Sequence, residues 1–207
     1  MTVWFVSDTH FRHPFVASLR GFVKDGELDS QGRPLGDRDA HDEALVTNWN
    51  AVVRKDDLVW HLGDVGIGRP RDILPYVYRL NGRKQLIAGN HDPVHPSHRD
   101  ARRFQKEYLE VFESVQPFAR TGLDGREVLL SHFPYQGAGD HTDEERGTQW
   151  RLPDEGRWLI HGHVHSKERL DGYRSVHAGL DAWGLAPVSD LDIAMIVRKV
   201  HEEEDGE

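Results

Sequence analysis

The feature that most constrains this chain is a junction that recurs along it: a short apolar run ending abruptly in side chains able to hold a cation. Val3-Trp4-Phe5-Val6 passes into Ser7-Asp8-Thr9-His10. The same transition takes Leu58-Val59-Trp60-His61-Leu62 into Gly63-Asp64, and Gln85-Leu86-Ile87-Ala88 into Gly89-Asn90-His91-Asp92. It returns where Val128-Leu129-Leu130 meets Ser131-His132, and where Trp158-Leu159-Ile160 meets His161-Gly162-His163-Val164-His165. Short runs rich in β-branched and aromatic residues, bounded by turn formers, read as buried strands. Between them, residues 42–53 carry Leu45, Val46, Trp49, Val52 and Val53 at helical spacing, and residues 72–80 and 100–115 are further helix candidates, the first interrupted by Pro75. Strands alternating with helices indicate an α/β layered domain. Residues 175–179 and 191–200 are predicted as later strands, and residues 24–39 and 137–148 as long polar loops.

Ligands of open α/β sheets gather beyond the carboxyl ends of the strands, where all five junctions fall. Taken singly they are weak signals: Asp-x-His and Gly-Asp usually mark turns, and a histidine at a strand end is usually structural. Gly89-Asn90-His91-Asp92 is more specific, because a left-handed turn explains Gly and Asn but not the His-Asp pair that follows. Their joint occurrence carries the reading. Asp8 and His10, two apart at the end of an extended run, are expected to point the same way, and so are the alternate imidazoles of His161, His163 and His165.

Cysteine is absent from the 207 residues, which excludes disulfides, thiolate ligands and cysteine nucleophiles, and leaves nitrogen and oxygen to hold any metal. A Gly-x-Ser-x-Gly elbow and a His-Glu-x-x-His motif are also missing. A net charge of -9 opposes bulk binding of nucleic acid, which draws on Lys and Arg. No apolar run is long enough to span a bilayer and no signal-peptide pattern precedes Ser7, so a cytoplasmic location is expected. One domain over residues 1–200 is expected, followed by an acidic, disordered tail at 201–207.

The ordered series Asp8-x-His10, Gly63-Asp64, Gly89-Asn90-His91-Asp92, His132 and Gly162-His163-Val164-His165 resembles the motif set of calcineurin-like metallophosphoesterases, in particular the small stand-alone bacterial and phage members. The late segment Gly179-Leu180-Asp181-Ala182-Trp183-Gly184 and the stretch Leu80-Asn81-Gly82-Arg83 share that likeness. The resemblance implies a four-layer αββα sandwich of two mixed β-sheets flanked by helices. It implies two divalent metal ions, with manganese expected and Fe, Zn, Ni or Co admissible. Asp8, His10, Asp64 and His165 would hold the first ion and Asp64, Asn90, His132 and His163 the second, Asp64 bridging. Hydrolysis of P–O bonds in a small phosphoester or nucleotide would then proceed by attack of a metal-bridging hydroxide, with His91 as general acid and Asp92 orienting it. Ile67 departs from branches that carry Arg or Asp three residues after the Gly-Asp carboxylate, which favours diesters. Phosphomonoesterase or nucleotide pyrophosphatase activity is the alternative, and a non-catalytic scaffold of the same fold stands behind it.

Other polar residues read as ordinary surface. Arg12 and His13 suit a solvated turn, and His41, His95, His98, His141 and His201 fall in polar loops, helix flanks or the tail. Arg99, Arg102 and Arg103 form a basic helix face. His177 and Asp181 stand near the late Gly179-Leu180, where support of a metal ligand and a plain core or turn role are equally open.

Overall fold

The computed structural model describes residues 1–205 except 141, 171 and 173. In chain order its elements are β1 (Val3–Val6), α1 (Pro14–Leu19), β2 (Val23–Leu28), β3 (Pro34–Gly36), α2 (Arg38–Val52), β4 (Leu58–His61), α3 (Pro70–Tyr78), β5 (Arg83–Ile87) and α4 (Ala101–Tyr108). There follow β6 (Ser114–Gln116), β7 (Phe118–Leu123), β8 (Arg126–Ser131), β9 (Trp158–His161), β10 (Ser175–His177), β11 (Val188–Ser189) and α5 (Asp190–Asp205). The first sheet has the order β11-β1-β4-β5-β6 and the second β10-β9-β8-β7. Both are mixed: β11 runs antiparallel to β1 and β7 antiparallel to β8, while the central strands are parallel.

The period-two alternation of each strand divides the core. Val6, Val59 and Leu86 face outward from the first sheet and pack on Leu45 and Trp49 of α2, Ile73 and Val77 of α3, and Tyr108 of α4. Their neighbours Phe5 and Ile87 face the second sheet, joining Val128, Leu130, Trp158 and Ile160 and the apolar stripe Ile193, Ala194 and Val197 of α5. The molecule is the expected α/β sandwich of two mixed sheets flanked by helices. Parallel register sets Val6 beside His61 and His61 beside Leu86, so the residues that follow β1, β4 and β5 emerge at one sheet edge.

Several local expectations are corrected. Residues 191–200 form part of α5, not a strand, and the helix runs on to Asp205 through the segment expected to be a disordered tail. Its start is a reciprocal cap: Ser189 Oγ accepts from the Asp192 N–H at 3.1 Å and donates to the Asp192 carboxylate at 2.6 Å. Ile193, Ala194, Val197 and Val200 then recur at helical spacing, and His201 accepts the indole N–H of Trp158 at 3.1 Å. Residues 24–39 are not a plain loop but contain the β2–β3 hairpin. Residues 100–115 divide into α4 and β6, and α3 continues through Pro75. His41 and His95 are buried rather than exposed, and His141 lies outside the described residues. Among the described residues no helix is long and apolar enough to cross a membrane.

Candidate metal centre

The loops that leave β1 and β4 interlock before any side chain is considered. Asp8 N–H donates to Gly63 O and His10 N–H to Asp64 O, each at 3.0 Å, and Phe11 N–H donates to Val65 O at 2.9 Å. The loops from the second sheet close on them: Ser7 N–H donates to Ala178 O, and His163 N–H donates to Asp8 Oδ2, both at 3.0 Å. Such contact requires residues without side chains. A Cβ on Gly63, at φ +96°, would stand 2.5 Å from Gly89 N, and one on Gly162 would stand 1.9 Å from Ser7 Oγ.

Asp8, His10, Asp64, His163 and His165 all adopt positive φ, between 48° and 73°. The expectation that Asp8 and His10 share a side because the strand continues is therefore wrong in mechanism: β1 has ended, and alternate left-handed residues turn both side chains inward. The same geometry separates His163 and His165 from His161, which stays on β9, fully buried next to His177 and apart from the cluster.

Two groups of ligand atoms result, Asp8 with His10 and His165, and Asp8 with Asp64 and His132. In the first, His10 Nε2 and His165 Nε2 are 3.1 Å apart and stand 3.8 and 3.9 Å from Asp8 Oδ1. A point equidistant from these three atoms lies about 2 Å from each, the bond length from imidazole nitrogen or carboxylate oxygen to a divalent transition metal. Asp8 Oδ1 and His10 Nδ1 are buried without a hydrogen-bond partner among the described residues, a costly condition for polar atoms that a cation beside them would relieve at Asp8. In the second, the His132 Nδ1–H donates to Leu62 O at 2.7 Å, so Nε2 carries the lone pair; it faces Asn90 Oδ1 at 3.1 Å and Asp64 Oδ2 at 3.5 Å. With the proton on Nδ1, the Nε2 lone pair and the oxygens of Asn90 and Asp64 converge as the donors of a cation site do. Asp64 Oδ2 also lies 3.7 Å from His10 Nε2, which places it between the two groups. Burial holds His10 well below the ordinary imidazole range and brings His163 down to about 3, leaving both neutral and able to ligate. The donor set fits two divalent cations of mixed N/O preference.

Each imidazole of the Gly162-His163-Val164-His165 turn bonds a carboxylate that is itself tied to arginine. His165 Nδ1–H donates to Asp181 Oδ2 at 3.1 Å, and Arg20 holds Asp181 with Nε at 2.9 Å and Nη2 at 2.8 Å while donating to Asp8 O at 2.8 Å. His163 Nε2 bonds Asp140 Oδ2 at 2.9 Å, and Asp140 takes Arg151 at 2.8 Å and Arg146 at 3.1 Å. Burial is the largest influence on His165 and lowers it, but the Asp181 hydrogen bond together with the charges of Asp8 and Asp181 outweighs burial and lifts the imidazole above its ordinary value. Of these partners the sequence reading reached Asp181 alone, as one of two open roles. Arg20, Asp140 and Arg151 carry no motif and become visible only through contacts more than ten residues away.

His91 stands at the rim, 43% exposed, with its Nε2 4.0 Å from Asp64 Oδ2 and its backbone N–H on Asp64 Oδ1 at 2.8 Å. Asp92 does not orient it. Both Asp92 oxygens accept backbone N–H groups, from Asp64 and Val65 at 2.9 Å and from Gly89 at 2.8 Å, so Asp92 pins the two loops that present Asp64 and Asn90. Burial and the Asp64 carboxylate push the Asp92 carboxyl up, against three donors that favour its ionised form. The cluster opens into a cavity of about 200 Å³ whose lining includes His13, Phe15, Leu19, His91 and Arg146. Arg12, in contrast, is bound up with Asp39, Asp42 and Tyr76.

A model of the calcineurin-like phosphoesterase family matches residues 1–167. The chain is 42% identical over 214 residues to the Gene 66 protein of Mycobacterium phage L5, covering 97% of this chain and 96% of that protein. It is 43% identical over 201 residues to the Gene 66 protein of Mycobacterium phage D29, covering 91% and 93%. A solved structure of a protein of unknown function from Aquifex aeolicus matches with a TM-score of 0.65 and 26% identity, covering 94% of this chain and 98% of that one.

Proposed function

The chain belongs to the calcineurin-like phosphoesterase family and is a metal-dependent phosphoesterase, and from that premise we propose that it acts on phosphodiesters through two divalent cations held by Asp8, His10, Asp64, Asn90, His132, His163 and His165. One observation carries the reading: Asp64 Oδ2 lies within 3.7 Å of His10 Nε2 and 3.5 Å of His132 Nε2, so one carboxylate oxygen serves both groups. Two cations so placed, when bound, neutralise phosphoryl oxygens and bring the pKa of water toward neutrality. Manganese is the natural first choice for assay, with Fe, Zn, Ni and Co admitted by the same donors.

The protein's own groups supply the remainder. Asp8 and Asp64 are fixed by the interlocked loops, and Asp140 and Asp181 settle which ring nitrogen of His163 and His165 carries the proton. His91, exposed at the rim beside Asp64, donates a proton to the departing ester oxygen, a role worth about 10²–10⁴-fold. Diesters are favoured because Ile67, 39% exposed, supplies no charge where other branches carry Arg or Asp. Arg146 in the cavity lining favours the alternative, a monoesterase or nucleotide pyrophosphatase, since a guanidinium matches a doubly charged phosphoryl group. Metal-loaded protein assayed on bis(4-nitrophenyl) phosphate and 4-nitrophenyl phosphate decides between them. We expect the diester to have the higher kcat/KM by tenfold or more; the reverse order would install the alternative.

A further inference from the structure

Helix α1 presents apolar side chains to the cavity that the core does not need. Val16 and Ala17 are buried and anchor it, whereas Phe15 is 42% and Leu19 70% exposed, and Phe15, Val16 and Leu19 all line the space in front of the metal-type cluster. The β2–β3 hairpin packs against this wall. Gly36 packs so closely under α1 that a Cβ would stand 1.7 Å from Pro14 O, Ser18 Oγ donates to Pro34 O at 3.0 Å, and the Arg33 guanidinium sits over the Phe15 ring at 4.5 Å. A series of rings leads outward from the cluster: His10 to His13 at 5.4 Å between centroids, then His13 to Phe15 at 6.5 Å. An apolar wall continuous with a site that binds a phosphoryl group marks where the organic part of the ligand lies.

Resting on the phosphoesterase reading above, we infer that Phe15 and Leu19 form a specificity wall for a planar aromatic substituent on the phosphoester, with a nucleoside as its biological form. The cavity, about 200 Å³, supports this scale, since about 150 Å³ accepts a benzene ring. It takes one phosphoryl group and the face of one ring, while the rest of a larger substrate remains outside. Arg146 lines the same cavity and suits the phosphoryl end of such a ligand, and the apolar α1 side suits the base.

The test is calorimetric titration of manganese-loaded protein with inorganic phosphate, ribose 5-phosphate, phenyl phosphate and adenosine 5′-monophosphate. Stacking of a base on an aromatic side chain is worth about 1–3 kcal/mol, so the two aromatic ligands should bind at least about fivefold more tightly than ribose 5-phosphate. A further gain for adenosine monophosphate over phenyl phosphate identifies a nucleoside site, and equal gains identify a simple aryl site of the same chemistry. In Phe15→Ala with Leu19→Ala, both at exposed positions, the ratio of adenosine monophosphate to ribose 5-phosphate affinity should fall toward one. Equal binding of all three organic phosphates, or a ratio unchanged in the double variant, overturns the inference while leaving the phosphoesterase reading intact. So does a dimer in sedimentation that Phe15→Ala dissolves, because the wall would then seat a second copy. Failure of inorganic phosphate to bind, with no ester hydrolysed, would instead overturn the phosphoesterase reading itself.

Discussion

Replacing Asp181 should weaken cation binding without touching a cation ligand, and the structure sets the size of the effect. Asp181 Oδ2 receives both the His165 Nδ1–H and Arg20 Nη2, and Oδ1 receives Arg20 Nε. In Asp181→Asn one oxygen becomes an amide donor. With that donor at the Oδ1 position a single clash arises, against Arg20 Nε–H; at the Oδ2 position it would face two donors. The first orientation wins, so His165 keeps its partner but loses the negative charge that makes Nε2 a better donor. Asp181→Ala removes the partner altogether and leaves Arg20, 3% exposed, as an uncompensated charge. Loss of such a carboxylate behind a metal-binding imidazole costs about 10–100-fold in affinity. The Asn variant should fall near tenfold and the Ala variant near a hundredfold, about 1.4 and 2.7 kcal/mol. The Ala variant should also lose about 3–5 kcal/mol of folding stability, the range for breaking a buried ion pair. Manganese titrated calorimetrically into chelator-treated protein measures the affinities, and circular dichroism verifies the fold. If both variants bound manganese as the parent does, Asp181 would have no hold on the site.

Three further outcomes follow from other contacts. His91→Ala should still take up both cations yet lose about 10²–10⁴-fold in kcat on an alkyl ester, and much less on a nitrophenyl ester whose leaving group needs no proton; equal losses on both would remove His91 from that role. Gly162→Ala drives a Cβ to 1.9 Å from Ser7 Oγ and 2.7 Å from Asp8 Oδ2, so overpacking should cost at least about 1–3 kcal/mol in urea unfolding and impair metal uptake together. His61 accepts the Gly63 N–H at Nδ1 and meets Thr9 Oγ1 at 2.9 Å through Nε2, and burial pulls its pKa down to about 3. Because the unfolded chain binds this proton near pH 6.5 and the folded one does not until about pH 3, stability rises with pH across that window and is lost on acidification. Going from pH 7 to pH 5 should cost metal-free protein about 2 kcal/mol through this residue. His61→Gln should show a correspondingly smaller decline, and parallel unfolding curves would refute the assignment.

The strand-to-ligand junctions were legible because two strong local signals coincide in them, an apolar β-run and an abrupt polar turn. Residues such as Asp64 and Asn90 could be nominated from their own neighbours. Asp140, Arg20 and Arg151 could not, since nothing near them in the chain distinguishes a charge that anchors an imidazole from one facing water. The same limit explains His41 and His95, polar in context but buried by tertiary contacts, such as Arg20 on His41 at 3.1 Å. Helix α5 was misread because residues 191–200 contain the β-branched Ile193, Ile196, Val197 and Val200, and the cap at Ser189 that overrides their β preference depends on a side-chain pairing with Asp192.

The role of Asp92 shows how the backbone and the chemistry are joined. Left-handed φ at Asp8, His10, Asp64, His163 and His165 is uncommon for residues with side chains, and each such residue carries a conformational cost that its surroundings must offset. The offset is visible in hydrogen bonds between loops: Asp8 to Gly63, His10 to Asp64, His163 to Asp8, and Asp64 and Val65 to Asp92. No single loop therefore holds its ligands in place alone, and the close contacts at Gly63 and Gly162 follow from the same interlock. The protein's own hydrogen bonds thus fix the histidine and carboxylate positions, which lowers the ordering cost of binding a cation there.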